Sequence, residues 1–257
     1  MKIVILYSGG VDSYTLYHYI KNTYPYARVK ALYYDFGQPY KEWEIKNLPE
    51  FVEVRTVEWL QHDHTVHVDP NKNGIMWGRE QFLTVHAYMQ EKPDMICLGV
   101  LKDEMAEDMS EWHKNMTQLF LGSLNPWNIT PEVSYPFAEQ GWGKYEVVKW
   151  ALDHNLDITG TVTCMISEQP CKECIGCAQR DLVFCSHGLI EEVFISEQML
   201  DKLILKGYTS VISDLLESGR FRVYQHELDG LQRIELPRPR LEEIIRESRE
   251  RNQACQS

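Results

Sequence analysis

Positive charge is scarce in this sequence. Its 257 residues include 26 Lys and Arg against 38 Asp and Glu, which gives a formal net charge of −12. Binding to a nucleic-acid backbone depends on Lys and Arg neutralising the phosphates. We therefore do not expect nucleic acid to be a partner of this protein.

Long apolar runs are also missing. No stretch approaches the roughly 18 apolar residues of a membrane-spanning helix, and the apolar stretch at the N-terminus is too short for a signal peptide. The 44% of apolar residues is nevertheless ample for a packed core. We expect a soluble, cytoplasmic protein that makes no membrane contact, built as one large domain or as a domain with an appendage.

Short apolar runs alternate with segments of helical periodicity along the first 154 residues. Strands are predicted at 3–7, 29–34, 51–57 and 95–100, and helices at 14–20, 78–90 and 144–154. This alternation is typical of βαβ units, so the sequence predicts an α/β fold with a doubly wound parallel sheet. Residues 125–136 are predicted to form a loop. Near the C-terminus, 241–251 is predicted to be an amphipathic helix.

The segment Ser-Gly-Gly-Val-Asp-Ser at 8–13 lies between the first predicted strand and the first predicted helix. Backbone N–H groups at such a helix start bind anions, most often phosphate. No Gly-Lys-Ser/Thr follows, so this is not a Walker A loop. The alternative is an ordinary turn in which Asp12 or Ser13 caps the helix.

Four of the seven cysteines lie within fourteen residues, as Cys164-x6-Cys171-x2-Cys174-x2-Cys177. Four thiolates with such spacers converge on a metal, and a site with four protein ligands has no open position, so the metal would be structural. Both zinc and an iron–sulfur cluster accept this spacing. Cys97, Cys185 and Cys255 are interpreted as ordinary side chains.

The loop at 8–13 resembles the PP-loop of ATP pyrophosphatases, which cleave ATP between the α- and β-phosphates. This resemblance implies that Ser8, Gly9, Gly10 and Ser13 hold pyrophosphate and that Asp12 lies near Mg²⁺. The further ATP contacts that we assign on the same resemblance are Tyr7, Val11, Gly37, Gln38 and Gly99.

Over residues 2–185 the chain resembles one PP-loop family, the 7-cyano-7-deazaguanine synthases (QueC-like proteins). The matching segments are Asp35-Phe36-Gly37-Gln38 after the second strand, Gly78-Arg79 and Phe82-Leu83 at a helix start, Gly99-Val100, Lys144, Thr161-Val162-Thr163-Cys164, and Cys171, Cys174, Cys177 and Arg180. Because the family's cysteine loop holds zinc, the resemblance favours structural Zn²⁺ over an iron–sulfur cluster. It also implies an adenine nucleotide α hydrolase-like, Rossmann-like fold and a homodimer.

The family's reaction is an ATP-dependent carbon–nitrogen ligation. The carboxylate of 7-carboxy-7-deazaguanine attacks the α-phosphate of ATP to give an acyl-adenylate, ammonia forms the amide, and a second activation gives the nitrile. On this resemblance Asp12, Ser13, Arg79 and Lys144 are the candidate catalytic residues. Arg79 and Lys144 are placed near phosphates or the substrate carboxylate, although either would also suit a solvated surface. Arg79 and Thr163 are also candidate substrate contacts.

The sequence departs from the family at several positions. Pro39-Tyr40 stands where the family has Arg-His, and Glu80 where it has Asn. The acceptor signature after strand four is absent from 101–110, where only Asp103 and Asp108 match its aspartates and no Arg replaces the family's own. We therefore add Asp103 and Asp108 as candidate substrate contacts.

Those departures leave the nitrogen acceptor open. A diverged relative could transfer the activated deazaguanine to an amine of a protein, as relatives in antiviral gene clusters do. A tRNA thiolase or an amidotransferase would instead need an active-site cysteine pair or a glutaminase domain, and neither is evident. We expect residues 1–185 to form the ATP pyrophosphatase domain, with the cysteine loop at 164–177, and residues 186–257 to form a mainly helical extension.

Overall fold

The computed structural model describes residues 1–38, 41–57, 79–102, 107–124, 130–164, 170–226 and 233–255. The chain divides into two compact units, Met1–Glu168 and Gln169–Ser257. The boundary predicted from the sequence lies later in the chain, at 185/186.

The first unit contains a five-stranded sheet in which every pairing is parallel. Its elements are β1 (Lys2–Leu6), α1 (Val11–Thr23), β2 (Arg28–Asp35), α2 (Lys41–Lys46), β3 (Val52–Thr56), α3 (Arg79–Glu91), β4 (Met95–Leu98), α4 (Glu107–Leu124), β5 (Glu132–Ser134), α5 (Pro136–Glu139) and α6 (Lys144–Asp153). The strand order is β3-β2-β1-β4-β5.

Both faces of this sheet are covered, as the alternation of side chains along β1 shows. Val4 packs on one face with Ala87 of α3 and Leu121 of α4. Ile3 and Ile5 pack on the other face with residues of α1 and α6, including Leu16 and Val147. A strand that is buried on both sides reads as a continuous apolar run, which is why β1 was recognisable. The predicted doubly wound α/β fold is confirmed.

The order of the strands fixes where a ligand can bind. The chain winds from β1 outwards to β3, then returns to β4 on the other side of β1. The connections after β1 and β4 therefore diverge at the carboxyl edge of the sheet. A crevice at such a switch point is where open α/β sheets bind ligands.

The predicted loop at 125–136 is corrected in part. Its residues Glu132–Ser134 form β5, which pairs with β4 from Met95↔Glu132 to Cys97↔Ser134. Three residues are too few to display a period of two, and the pairing is decided by the neighbouring strand. The segment 125–129 lies outside the described residues.

The second unit contains α7 (Ile175–Ser186), β6 (Val193–Ser196), α8 (Glu197–Leu205), α9 (Thr209–Glu217), β7 (Phe221–His226), β8 (Arg233–Glu235) and α10 (Arg238–Cys255). Its three strands form a sheet in the order β6-β7-β8, which the sequence analysis did not predict. The helix predicted at 241–251 lies within α10. Among the described residues of the whole chain, no helix is both long and apolar enough to cross a membrane.

Glu91, at the end of α3, joins that helix to three adjacent strands. Its carboxylate oxygens lie 2.8 Å from Lys2 Nζ, 2.6 Å from Lys30 Nζ and 3.0 Å from Arg55 Nη2. The Glu91 side chain is only 8% exposed. Although burial opposes the charged form, the hydrogen bonds from Lys2 and Lys30 lower its pKa to about 2. This network therefore stabilises the fold as long as the carboxylate is ionised.

We expect Glu91→Gln to lower the free energy of unfolding by about 1–3 kcal/mol at pH 7. Because the folded-state pKa is depressed, the stabilisation is complete above the ordinary value of 4.5 and is lost as the pH falls towards 2. Urea unfolding across this range should therefore show the two proteins converging in acid. The control is Asp153→Asn in an exposed pair with Lys149, where little change in stability is expected because solvent screens the pair. Equal stabilities of wild type and Glu91→Gln at pH 7 would contradict the prediction.

Candidate functional site

The segment 8–13 forms the turn between β1 and α1. Gly9 adopts a φ of +85°, which suits glycine, and Gly10 is the N-cap of the helix in an extended conformation. The first bond of the helix runs from the Tyr14 N–H to the Gly10 carbonyl, at 3.0 Å. In helix geometry the N–H groups of Val11, Asp12 and Ser13 then have no carbonyl partner within the helix. The predicted strand–glycine turn–helix is confirmed.

The helix end also has no side-chain cap among the described residues. The alternative interpretation, in which Asp12 or Ser13 caps the helix, is thus not what the structure shows. Ser13 instead fixes the shape of the turn. Its Oγ accepts a hydrogen bond from the Ser8 N–H at 3.2 Å and donates one to the Gly10 carbonyl at 3.1 Å. The uncapped N–H groups form an environment that can bind an anion.

Asp12 and Lys144 form an ion pair at this loop. Lys144 is the first residue of α6, its side chain is 4% exposed, and its Nζ lies 2.8 Å from Asp12 Oδ2. The other oxygen, Asp12 Oδ1, is buried and has no hydrogen-bond partner among the described residues. A carboxylate oxygen in this state is suited to a cation such as Mg²⁺, which prefers oxygen ligands.

Gly99 and Val162 lie against the loop from two other segments. A Cβ on Gly99, which follows β4, would be 3.4 Å from both the Asp12 carbonyl carbon and the Ser13 nitrogen. The Val162 N–H donates to the Gly9 carbonyl at 3.0 Å. The neighbouring Thr163 carries a buried Oγ1 that has no hydrogen-bond partner among the described residues. Of the residues predicted from the sequence, Gly99 therefore packs against the loop, and Thr163 follows a residue that is hydrogen-bonded to it.

A cavity of about 230 Å³ opens at the carboxyl ends of β1, β2 and β4. Ser8, Asp12 and Ser13 line its polar end. Apolar side chains line much of the rest, namely Leu6, Leu32, Phe36, Leu83, Leu98 and Val100. This arrangement suits a molecule that has an anionic group at one end and a flat apolar body at the other.

Some of the other predicted contacts line the cavity and some do not. Tyr7, Gln38 and Arg79 line it, whereas Gly37 and Val11 do not. Gly37 has a φ of +84° and donates its N–H to Asp35 Oδ1 at 2.9 Å, so it shapes the turn after β2. Val11 is fully buried in the core. Asp103 and the Asp108 side chain lie outside the described residues.

Two cavity residues, Tyr33 and Glu44, were missed in the sequence. The Tyr33 hydroxyl donates to Glu44 Oε2 at 2.5 Å, and Gln38 Nε2 lies 3.5 Å from the same oxygen. Burial raises the pKa of Glu44 to about 7, against the opposing effect of these hydrogen bonds and of the Arg79 charge. The only sequence signal for these two residues was a polar side chain within an apolar strand followed by a short acidic helix. Many surface segments show the same pattern, so it does not identify a site.

The four cysteines of the predicted metal loop come together. The Sγ atoms of Cys164, Cys171, Cys174 and Cys177 all lie within 4.8 Å of one another. Cys174 is the N-cap of α7 and its Sγ accepts the Cys177 N–H at 3.4 Å, while Cys171 Sγ accepts the Glu173 N–H at the same distance. Such N–H donors stabilise thiolate charge. The prediction that these residues can form a metal site is confirmed.

Comparison with known proteins gives matches among solved structures. No family model matches the chain, and no curated protein does. Among the solved structures that match is the U34-tRNA thiolase NcsA from Methanococcus maripaludis, determined with its 4Fe–4S cluster. The identity is 18% over 65% of this chain, with a TM-score of 0.45, and the chain spans 60% of that structure's length.

Proposed function

We propose that the protein is a PP-loop ATP pyrophosphatase that adenylates a carboxylate, namely that of 7-carboxy-7-deazaguanine. The observation that carries this proposal is the turn at 8–13, whose helix start has no side-chain cap and whose Ser8, Asp12 and Ser13 line the cavity. Its amino-acid pattern and its place after the first strand are those of the PP-loop. The QueC-like substrate rests on the sequence resemblance alone.

In this proposal the chain mainly stabilises charge and positions the reactants. The N–H groups of the turn and the Ser8 hydroxyl hold the β- and γ-phosphates as they leave as pyrophosphate, while Ser13 keeps the turn in shape through its bonds to Ser8 and Gly10. Arg79, at the start of α3, faces the cavity and binds the α-phosphate or the substrate carboxylate. The apolar walls hold the nucleobase, so carboxylate and α-phosphate are aligned.

Asp12 is the residue that would hold Mg²⁺, through its buried and unbonded Oδ1. When bound, Mg²⁺ supplies positive charge beside the phosphates. Lys144 acts through Asp12, because its short ion pair with Oδ2 fixes the carboxylate with Oδ1 directed away from the lysine. Lys144 is therefore a positioning residue in this proposal.

We also propose that the four cysteines hold one structural Zn²⁺. With Zn–S bonds of about 2.3 Å, thiolates at the corners of a tetrahedron stand about 3.8 Å apart. In a 4Fe–4S cluster each thiolate binds a different iron, so the sulfurs are further apart than around a single ion. All four Sγ atoms lie within 4.8 Å of one another, so their spacing favours a single ion over a 4Fe–4S cluster.

The nitrogen acceptor has two candidates. Ammonia would give the amide and then 7-cyano-7-deazaguanine, as in the family. An amine on a protein would give a covalent adduct, and the absence of the family's acceptor signature from 101–110 favours this second candidate. Both use the same adenylation step.

The test is to incubate the protein with ATP, Mg²⁺ and 7-carboxy-7-deazaguanine and to measure pyrophosphate. We expect release that depends on the acid. Mass spectrometry then separates the acceptors, because a free nitrile indicates ammonia and a deazaguanine-sized mass increase on a partner protein indicates an amine. Release with a different carboxylic acid but not with this one would disprove the substrate, and no release with any acid would disprove adenylation.

A further inference from the structure

More acidic than basic side chains line the cavity, although we propose that it binds an anion. Three carboxyl groups line it, those of Asp12, Glu44 and Glu80, against one cation, Arg79. The charge of Asp12 is balanced by Lys144. Glu44 has no such ion pair among the described residues, and the positive charge that acts on it is that of Arg79.

Glu44 lies close to the turn that would hold the phosphates. Its Cβ is 4.0 Å from the position that a Cβ on Gly9 would occupy. Only 9% of the residue is exposed, so water can screen its charge only weakly. An ionised Glu44 would therefore repel a polyphosphate bound at this turn.

The groups around Glu44 are suited to either protonation state. Tyr33, from β2, donates its hydroxyl to Oε2, and Gln38 approaches the same oxygen with its amide. Arg79, from α3, contributes positive charge, and the turn at Gly9 contributes none. Because Oε2 accepts the hydrogen bond in the acid as well as in the carboxylate, Oε1 can gain a proton without breaking these contacts. The pKa of about 7 places both states within reach at neutral pH.

We propose that Glu44 is a positioning residue that takes up one proton when a nucleotide polyphosphate enters the turn at 8–13. The proton comes from the solvent and adds to Oε1, and no other bond forms or breaks. The neutral acid removes the repulsion and leaves Arg79 free to interact with the anion. This inference rests on the proposed function, since it assumes that the turn holds the phosphates of ATP.

The experiment measures binding of ATP to the full chain in saturating Mg²⁺, without any carboxylic acid, from pH 6.5 to pH 9. Under these conditions the phosphates of ATP are fully ionised and do not contribute a titration. We expect wild-type affinity to fall roughly 10-fold per pH unit above 7. Calorimetry at pH 7.5 in two buffers of different ionisation enthalpy should show uptake of roughly 0.8 proton.

The decisive variant is Glu44→Gln, which keeps the acceptor for Tyr33 and imitates the neutral acid. Its affinity should vary little with pH and should exceed that of the wild type at pH 9 by more than 10-fold. A residue with a purely structural role would give weaker binding instead. If this variant does not fold, Tyr33→Phe takes its place. Removal of the hydroxyl donor should raise the pKa of Glu44, so the affinity of Tyr33→Phe should begin to fall at a higher pH than that of the wild type.

Other results would overturn the role of Glu44, the proposed function or both. Wild-type binding that is independent of pH, or that occurs without proton uptake, overturns the role of Glu44 and leaves the proposed function standing. Loss of binding at every pH in a folded Glu44→Gln protein also overturns it, because the carboxylate itself would then be the ligand. No binding of ATP by the wild type overturns both this inference and the proposed function.

Discussion

Replacing Lys144 with methionine should lower the rate of pyrophosphate release by about 100- to 1,000-fold. The side chain is almost fully buried, and its Nζ lies 2.8 Å from Asp12 Oδ2. Without it, the Asp12 carboxylate loses its partner and its fixed orientation towards the cavity. Asp12→Asn should have an effect of similar size, because it removes the negative charge that would hold Mg²⁺. Both are measured as ATP-dependent release of pyrophosphate at saturating carboxylic acid.

Folding must be separated from activity in this test, because a buried charge that loses its partner destabilises a protein. The double variant Asp12→Asn with Lys144→Met removes both charges and should recover stability without recovering activity. Lys149→Met is the matched control in the same helix, since Lys149 pairs with Asp153 at the exposed surface. It should retain wild-type activity. Near-normal turnover by folded Lys144→Met would show that the ion pair has no part in the reaction.

Replacing Cys174 with serine should remove about one equivalent of zinc and destabilise the fold strongly. Cys174 contributes one of four converging thiolates and is the N-cap of α7. Serine can still cap the helix, so the variant isolates the loss of the metal ligand. Because binding of a structural metal is part of the folding free energy, the loss should be several kcal/mol. Thermal unfolding and elemental analysis of the purified protein measure the two effects.

The matched control is Cys185→Ala, which changes a buried cysteine at the other end of α7. Cys185 is not among the four converging residues, so this variant should keep its metal and lose only about 1 kcal/mol of stability. A chelator should reproduce the effect of Cys174→Ser in the wild type and in Cys185→Ala alike. Iron and sulfide in the wild type, rather than zinc, would contradict the proposed ion.

The sequence predicted the first unit well where the signal was local. The strands β1, β2 and β4 are buried on both faces and read as apolar runs, and the turn at 8–13 is a contiguous motif. The cysteine loop was readable for the same reason, since its four ligands lie within fourteen residues. Each of these features depends on residues that are close along the chain.

Features that depend on distant residues could not be predicted in this way. Lys144 was predicted to lie near phosphates or the substrate carboxylate, but its partner Asp12, 132 positions away, was not predicted. Glu44 belongs to a short helix of alternating charge, and only the fold places it beside Gly9. The sheet of the second unit was missed although Phe221 and Val223 alternate with Arg222, because its partner strands are only three and four residues long.

The hydrogen bond from Val162 to Gly9 has a consequence for the order of folding. The motif at 8–13 is complete in the first few residues of the chain, yet it is supported by Lys144 and Val162. Contacts between such distant residues form slowly, because a long loop must close first. A ribosome must therefore synthesise more than half of the protein before the turn can take its final shape. Until then a growing chain carries the motif at 8–13 without the folded turn.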